Sequence, residues 1–380
     1  MRAHILNHRY LDTKGVDVTI GGVQTYITNL SEVLREAGFS VSVYQLADVA
    51  FEREYNGITV YGVPFSGKGQ YDQGKLLLKH AKPYINKDTD MVIFGIDNLT
   101  VDTDGVYSIA LQHGISWDTP ATVSVGKLRY VANFLKKALL CWKILKRVNR
   151  ADQVVCVDYN FLNWYRASSS YPGTKMKVIP NFTDIPGRYA DKHGEEAVNV
   201  IFARRFQRFR GTRVFAEALE RVLEKHPEIN VTVAGDGPDE NWLKDRLGRY
   251  SQVSFIKYAS TESLKIHADK HIAVIPTLGS EGTSLSLLEA MASQCAVICT
   301  NIGGMTNIVM DSYNGLMIEP DADSVYEAMI RLIEDPALRK ALSEKAYETA
   351  VGSFSFDIWK SKWHGVLAPI ADKLSEKEAK

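Results

Sequence analysis

The sequence has little of several features that would place it in a special class. Its 380 residues include four cysteines with no CxxC pair, so neither a zinc site nor a disulfide framework is indicated. The 45 basic and 45 acidic residues give a formal net charge of zero, which argues against a protein that coats nucleic acid. No apolar run reaches the length of a membrane span, and the amino terminus lacks a signal-peptide pattern. These absences predict a cytoplasmic protein with no nucleic-acid partner.

Length and hydrophobic pattern predict two α/β domains. The chain is longer than one hydrophobic core usually supports, and short apolar runs alternate with longer amphipathic segments, as in parallel strands joined by helices. The alternation stops over residues 179–199, which carry two prolines, two glycines and many charges. We therefore expect one domain over residues 1–183 and a second over 184–354, with a C-terminal helix over about 355–380 that packs back on the first.

Loops after strands are the places to look for a ligand, because open parallel sheets bind ligands at the carboxyl ends of their strands. The segment IFARRFQRFRG follows one such strand and has no acidic residue. Its four arginines are Arg204, Arg205, Arg208 and Arg210. Guanidinium groups hold phosphates by paired hydrogen bonds, so we favour a diphosphate site over a solvated basic loop. The glycine-rich turns TIGG (19–22) and AGDGP (234–238) suit close approach to an anion, although either alone is usually only a turn.

The stretch SEGTSLSLLEAMA (280–292) contains two glutamates that need an explanation. We expect the helix to start at Gly282, so that the first backbone amides can hold a phosphate. These amides belong to Thr283, Ser284 and Leu285. Helical side chains lean toward the amino terminus, so Glu289 can reach a ribose beside that phosphate. Glu281, in the preceding loop, would accept hydrogen bonds from sugar hydroxyls.

These motifs together resemble the retaining glycosyltransferases of family 4. The resemblance rests on E-x7-E in EGTSLSLLE, on the first loop and helix in GGVQTYITNLSEVLREAGFSVSV, and on RRFQRFRGTRVFAEAL. It implies the GT-B fold, with two Rossmann-like domains facing across a cleft, an acceptor-side domain first and a donor-binding domain second. Several positions depart from the pattern, among them Arg204 in place of a usual glycine and Thr283-Ser284 in place of Phe-Gly.

The resemblance also implies roles for individual residues. Arg205 and Arg210 would neutralise the donor diphosphate, Glu289 would hold the ribose, and Glu281 would contact the donor sugar. His113 in LQHG would face the reacting centre. The other donor-binding positions are Gly21, Gly22, Gly235, Tyr258, Gly282, Thr283, Ser284 and Leu285.

We accordingly expect a metal-independent, retaining enzyme with no cofactor, which moves a sugar from a nucleoside diphosphate to a glycan or lipid-linked acceptor. A UDP-sugar is favoured and a GDP-sugar is possible, with lipopolysaccharide, capsule or another surface polysaccharide as product. Three alternatives stay open. The two DTD tripeptides (88–90 and 102–104) could hold a metal on a nucleotide sugar, as in the other large glycosyltransferase fold. The chain could also be a non-catalytic nucleotide-sugar-binding scaffold or a GT-B epimerase.

A basic amphipathic segment covers residues 127–150, with eight lysines and arginines and no acid. Phe134, Leu139 and Trp142 are among its apolar residues, which recur at helical spacing. Such a helix suits the surface of an anionic bilayer, where each basic residue adds on the order of 1 kcal/mol. An ordinary domain helix with a solvated basic face explains the pattern equally well. The protein is therefore expected in the cytoplasm, with peripheral attachment to the membrane as one possibility.

Overall fold

The structure is a computed structural model of the 380-residue chain. It describes residues 1–17, 21–65, 70–115, 127–170, 175–187, 192, 197–279 and 281–378. The first two residues of the TIGG loop, Thr19 and Ile20, and Ser280 of the E-x7-E stretch lie outside the described residues. The chain divides into two compact units. Unit 1 contains residues 1–113, 123–179 and 360–380, and unit 2 contains residues 114–122 and 180–359.

Unit 1 has a largely parallel sheet, as the alternating pattern predicts. Its strands are β1 (Arg2–Asn7), β2 (Ser40–Ala47), β3 (Phe51–Tyr55), β4 (Ile58–Pro64), β5 (Met91–Phe94), β6 (Tyr107–Gln112), β7 (Gln153–Cys156) and β8 (Met176–Val178). Its helices are α1 (Gly22–Glu36), α2 (Gln70–Ala81), α3 (Lys127–Val148) and α4 (Tyr159–Ser168). The strand order is β3-β4-β2-β1-β5-β6-β7-β8, and β3 alone among these strands runs antiparallel to its neighbour.

Unit 2 repeats the architecture with a smaller, wholly parallel sheet in the order β11-β10-β9-β12-β13-β14. Its strands are β9 (Asn199–Ala203), β10 (Asn230–Ala234), β11 (Val253–Ile256), β12 (Ile272–Ile275), β13 (Ala296–Thr300) and β14 (Leu316–Ile318). Its helices are α5 (Thr212–Lys225), α6 (Glu240–Leu247), α7 (Ser263–His267), α8 (Leu285–Ala292), α9 (Ala322–Glu334) and α10 (Pro336–Phe354). A last helix, α11 (Phe356–Glu378), begins in unit 2 and continues in unit 1.

Both faces of the unit 2 sheet are buried, which explains its nearly continuous apolar strands. In β9, Val200 and Phe202 pack with α5 and α9 on one face. Ile201 and Ala203 belong to the cluster on the other face, which α8 and α10 supply. Helices cover both faces of a doubly wound parallel sheet in this way.

The C-terminal part of α11 is anchored in unit 1 by one face of the helix. Trp363 is fully buried there and donates from its indole Nε1 to the Tyr26 hydroxyl at 3.1 Å. Lys360 donates to Glu36 at 2.5 Å, and His364 lies 3.1 Å from the other oxygen of the same carboxylate. Leu367 and other apolar residues further along α11 recur at helical spacing and are buried as well.

Each sheet is built outward from a central strand, with the strands that follow it in the chain added on one side first and the later strands added on the other side. The place between the two sets is the switch point. In unit 1 this switch point lies between β1 and β5, and in unit 2 between β9 and β12. The loops that leave these neighbouring strands diverge to opposite faces and leave a crevice, which is the usual ligand site of such sheets.

Candidate functional site

Four side chains meet at the unit 2 switch point, and they come from the loops after β9 and β12. Arg204 donates to the hydroxyl of Thr277 and, at 2.6 Å, to Oε2 of Glu281. Arg210 donates to the same carboxylate oxygen. Thr277 donates its hydroxyl hydrogen to that oxygen as well, at 3.1 Å. Oε2 of Glu281 therefore accepts hydrogen bonds from three donors. We call these four residues the arginine–glutamate cluster.

The charged side chains of the cluster are buried to different extents. The side chains of Arg204 and Glu281 are 4% and 10% exposed, whereas that of Arg210 is 26% exposed. Burial raises the pKa of Glu281, but the two guanidinium groups and Thr277 outweigh burial and hold the pKa below its ordinary value. Burial lowers the pKa of Arg204, and Glu281 acts in the opposite direction. An arginine stays charged at working pH, so the cluster carries net positive charge.

Arg205, the other arginine assigned to the diphosphate, is exposed on the same loop. The two arginines and Glu281 give the cluster a net charge of +1, and Arg205 and Arg208 add exposed positive charge on the same loop. The basic loop has no acidic residue of its own, and its acidic partner, Glu281, comes from the loop after the neighbouring strand.

Two glycines allow the loops of the site to approach each other closely. Gly211 has φ +82°, and a Cβ there would lie 1.8 Å from the carbonyl oxygen of Pro276. Gly235 has φ +138°, and its Cβ would lie 2.1 Å from the carbonyl oxygen of Arg204. Any side chain at either position would push the arginine loop away from its neighbours, so the glycine of AGDGP has a structural function here.

Helix α8 begins later than the sequence pattern predicts. Its first residue is Leu285, with Ser284 as the N-cap, so Gly282 and Thr283 precede the helix. The Ser284 hydroxyl makes no capping hydrogen bond to the first turn and lies 3.3 Å from the Ser286 hydroxyl. The carbonyl oxygen of Thr283 accepts a hydrogen bond of 2.9 Å from the side chain of Asn181. The first-turn amides that remain for an anion thus begin at Leu285.

Glu289 lies on α8 and faces helix α7. Its Oε2 accepts a hydrogen bond of 2.5 Å from the hydroxyl of Ser263. Burial raises the pKa of Glu289, while the bond from Ser263 lowers it in part and Asp184 adds to the rise. Burial likewise raises the pKa of Tyr258 to about 12, and Glu289 is the second cause. Tyr258 and Glu289 therefore influence each other's ionisation within unit 2.

The switch point of unit 1 contains no comparable ion cluster among the described residues. His113, just after β6, lies with its Nε2 2.9 Å from the carbonyl oxygen of Gly95, and Tyr26 packs edge-on against its ring. Burial lowers its pKa, so the imidazole is neutral and donates from Nε2. Gly22 is the first residue of α1, and Gly21 is its N-cap.

The DTD tripeptides are built into turns. Asp90 is buried and accepts from the backbone amides of Arg2 and Asn86, both at 2.9 Å. Asp104 pairs with Lys82 at 2.5 Å. Within the described part of the chain, no group of three or more His, Cys, Asp or Glu side chains is placed to hold a metal ion. Asp90 and Asp104 therefore serve local hydrogen bonds and an ion pair in these turns.

Known proteins divide the chain at a similar place. The family model "Glycosyl transferases group 1" matches residues 189–349, and "Glycosyltransferase Family 4" matches residues 20–185. The two matches together cover most of both units.

The chain belongs to the family 4 glycosyltransferases.

Individual relatives agree with this assignment. The phosphatidyl-myo-inositol mannosyltransferase of Mycolicibacterium smegmatis is 26% identical over 86% of this chain and 85% of the relative. The exopolysaccharide phosphotransferase SCO2592 of Streptomyces coelicolor is 24% identical over 61% of this chain, which spans only 25% of that protein. The crystal structure of Anabaena HepE with UDP-glucose superimposes with a TM-score of 0.72 at 15% identity, covering 97% of this chain and 100% of that one. The fold of this glycosyltransferase is therefore GT-B, with two Rossmann-like α/β domains.

The basic segment forms the long helix α3 of the glycosyltransferase. Its C-terminal part is held in unit 1 by the buried side chains of Ile144 and Val148. Toward its amino terminus the helix exposes an apolar face, and the exposed fraction of Phe134 is 62% and that of Trp142 57%. The face consists of Val131, Phe134, Leu135, Leu139 and Trp142. No helix in the described part of the chain is both long and apolar enough to cross a bilayer.

Sequence reasoning missed two residues of the site, Thr277 and Ser263. It placed Arg204 in the basic loop and did not pair it with Glu281. Thr277 carries a signal in hindsight, because it follows β12 in a loop that the strand pattern had already placed at the switch point. Ser263 carries none, since a serine at the start of a short helix is usually a capping residue. The roles assigned to individual site residues stay predictions.

Proposed function

We propose that the protein is a retaining glycosyltransferase that transfers a sugar from a nucleoside diphosphate to a glycan or lipid-linked acceptor without a metal ion. The observation that supports this most directly is the arginine–glutamate cluster at the unit 2 switch point. Its positive excess fits a diphosphate, and Glu289 lies on the next helix of the same unit, where it can accept from ribose hydroxyls.

Stabilisation of the leaving group is the step that this cluster serves. As the bond between the sugar and the diphosphate breaks, negative charge builds on the departing phosphate oxygens. Arg210 is the partly exposed arginine of the cluster, Arg205 is exposed beside it, and α8 begins nearby. Positive groups fixed before the reaction stabilise such developing charge without reorganisation.

Glu281 suits a positioning function better than that of a nucleophile. Two guanidinium groups and a hydroxyl donate to Oε2 of Glu281, and these donors stabilise the carboxylate charge and make the group a poor nucleophile. We propose that retention follows from departure and attack on the same face of the sugar. Glu281 then orients the sugar through its other oxygen and holds the arginines in place.

A UDP-sugar is the donor that we favour, with a GDP-sugar as the second choice. HepE, whose fold is similar, is described in complex with UDP-glucose. The names of the relatives include an inositol-lipid mannosyltransferase and an exopolysaccharide enzyme. These names support a lipid-linked or glycan acceptor and a surface polysaccharide as product.

Calorimetric titration with UDP, GDP and ADP tests the donor first. Binding of one diphosphate at micromolar affinity, unchanged by EDTA, is expected, and failure of all three would reject the donor proposal. Incubation with the matching nucleotide sugars and glycan acceptors, followed by NMR of the product, then tests transfer. A product with the anomeric configuration of the donor supports retention, while an inverted product contradicts it. Binding without turnover would favour a scaffold, and an altered nucleotide sugar without acceptor would favour an epimerase.

Helix α3 supports placement of the enzyme on the cytoplasmic face of a membrane. Its exposed apolar face is accompanied by lysines on the same helix, among them Lys136, Lys137 and Lys143, which are exposed as well. An apolar face with flanking cations matches the interface of an anionic bilayer, in which apolar side chains enter the acyl boundary and lysines meet phosphate groups. A neutral partner would not require the lysines.

Cosedimentation with vesicles tests this placement. We expect binding to vesicles of phosphatidylcholine and phosphatidylglycerol, little binding to phosphatidylcholine alone, and weaker binding at high salt. Trp142→Gln with Leu139→Gln should remove the binding. Val351→Ser, an exposed apolar position on α10, is the matched control and should leave it unchanged. Equal binding to both vesicle types, or none to either, would contradict an electrostatic membrane site.

A further inference from the structure

Arg204 is the residue of the cluster that no assigned function uses. Its side chain is nearly inaccessible, with 4% exposed, and its guanidinium donates to Thr277 and to Glu281. A diphosphate arriving from solvent would meet Arg205 and Arg210 instead, because both are more accessible. Arg204 therefore acts on the site through Glu281.

Glu281 creates a difficulty for donor binding that Arg204 can resolve. Arg204 and Arg210 share one carboxylate oxygen of Glu281. A diphosphate that binds Arg210 draws that guanidinium away from Glu281. A buried carboxylate left without a cation is strongly destabilised, so donor binding would be opposed if Arg210 were the sole partner.

The geometry points to Arg204 as the permanent counter-ion of Glu281, a positioning residue that allows Arg210 to exchange this carboxylate for the donor diphosphate. This inference rests on the proposed function and specifies how the same site binds its ligand.

The anchoring of the two arginines differs in the way that this exchange requires. Arg204 is fixed on both sides, since Thr277 accepts from it and also donates to Glu281. Thr277 is itself held by a hydrogen bond of 2.6 Å from the Thr300 hydroxyl to its carbonyl oxygen. Arg210 ends a short 3-10 turn, and among its described hydrogen bonds the side-chain bond goes to Glu281 alone.

A double-mutant cycle on ligand binding tests the inference. The probes are the nucleoside diphosphate that binds the wild-type enzyme best and its monophosphate, titrated into the full-length protein by calorimetry. Arg204→Met should weaken diphosphate binding about tenfold or more and monophosphate binding about twofold at most, since contacting charged groups couple strongly. Arg204→Met combined with Glu281→Gln should restore diphosphate affinity to within about threefold of wild type, because no buried charge then needs a partner.

Glu281→Gln alone separates this inference from a general effect of charge. If Arg204 acts only through long-range attraction, Glu281→Gln should strengthen diphosphate binding as much as Arg204→Met weakens it, and the two effects should add. Such additivity would overturn the inference. If Arg204 compensates Glu281, Glu281→Gln alone should change the affinity by about twofold or less, and the cycle should be strongly non-additive.

Two further variants distinguish the proposed effect on binding from a general loss of folding. Arg204→Lys keeps the charge and should bind the diphosphate nearly as well as wild type. Arg339→Met removes another buried arginine of unit 2, one that donates to the carbonyl oxygens of Leu332 and Ile333. It should lower the melting temperature without changing the ratio of diphosphate to monophosphate affinity. An equal change of that ratio in Arg339→Met would overturn the inference. Absence of nucleotide binding in the wild type would instead reject the proposed function.

Discussion

The two switch points of the molecule are built with opposite electrostatics. In unit 2, the loops after β9 and β12 bring two arginines onto a buried glutamate, and the charges hold one another in the ionised state. In unit 1, burial keeps His113 neutral and raises the pKa of Asp97, in the turn after β5, to about 6. One architecture thus carries a cluster of paired charges in one unit and, in the other, buried groups whose pKa values are shifted by loss of solvent.

The difference shows that the sheet topology supplies a crevice and that the residues of a few loops decide its chemistry. Charges that hold a diphosphate must be present before the ligand arrives. A neutral imidazole can instead exchange hydrogen bonds with sugar hydroxyls without attracting a second phosphate. Substitutions in each unit should therefore affect different kinetic constants.

Arg210→Ala should have the largest effect, because it removes the accessible arginine of the cluster. We expect kcat to fall about 100-fold to 1,000-fold, as on loss of one preorganised donor to a developing oxyanion. Steady-state kinetics and circular dichroism would measure the loss and the intact fold. Arg208→Ala, an exposed arginine of the same loop, is the matched control and should stay within about threefold of wild type. Equal losses in both variants would mean that only the total charge of the loop matters.

Low pH should lower the free energy of unfolding of unit 2, because this unit contains a buried neutral histidine that contacts Ser263. His267 is buried and donates from Nδ1 to the carbonyl oxygen of Ser263 at 2.7 Å, and burial lowers its pKa to about 4. Above the ordinary pKa of 6.5 its contribution to stability is complete. As the pH falls toward 4, the unfolded chain binds a proton that the folded chain excludes, which costs up to about 3 kcal/mol.

Melting temperatures of wild type and His267→Gln from pH 7 to 4.5 would measure this cost. The wild type should lose stability more steeply, so the two curves converge as the pH falls. Parallel curves would show that other histidines with lowered pKa values, such as the buried His4 and the half-buried His8, account for the pH dependence.

His113→Gln should have a smaller effect and should leave the anion site unchanged. We expect kcat to fall about tenfold, the usual scale for loss of one well-placed hydrogen bond to a reacting group, with the affinity for the nucleoside diphosphate within about twofold of wild type. His80→Gln, an exposed histidine of unit 1, should change neither constant. An equal loss of diphosphate affinity in His113→Gln would contradict the assignment of diphosphate binding to unit 2 alone.

Local pattern predicts much of the fold, because helices and buried strands depend on neighbouring residues. Helix α5 (Thr212–Lys225) follows Gly211, and its apolar residues recur at helical spacing, so its own sequence indicates a helix. The hairpin of β3 and β4 went unpredicted, since FEREY is mostly exposed and lacks an apolar alternation. Its turn was the available signal, because Asn56-Gly57, with φ of +50° and +73°, is a typical type I′ pair.

The site was predictable only in its parts. Motifs identified the arginine loop and the two glutamates, because each occupies a short stretch of sequence. The pairing of Arg204 with Glu281 joins residues 77 positions apart, and it depends on β9 lying beside β12. Strand order is not encoded in any one segment, so contacts across the switch point had to come from the structure.

Ser263→Ala should have the smallest effect and tests the ribose assignment on the unit 2 side. The substitution removes the donor at 2.5 Å from Glu289, which then loses one restraint on its orientation. We expect the affinity for the nucleoside diphosphate to fall about fivefold, the cost of one hydrogen bond to a carboxylate. The 2′-deoxy analogue should be affected less, because it forms fewer contacts with Glu289. Ser254→Ala, on an exposed strand position of the same unit, should change neither affinity. Equal losses for both ligands would indicate that Glu289 supports the site without holding the ribose.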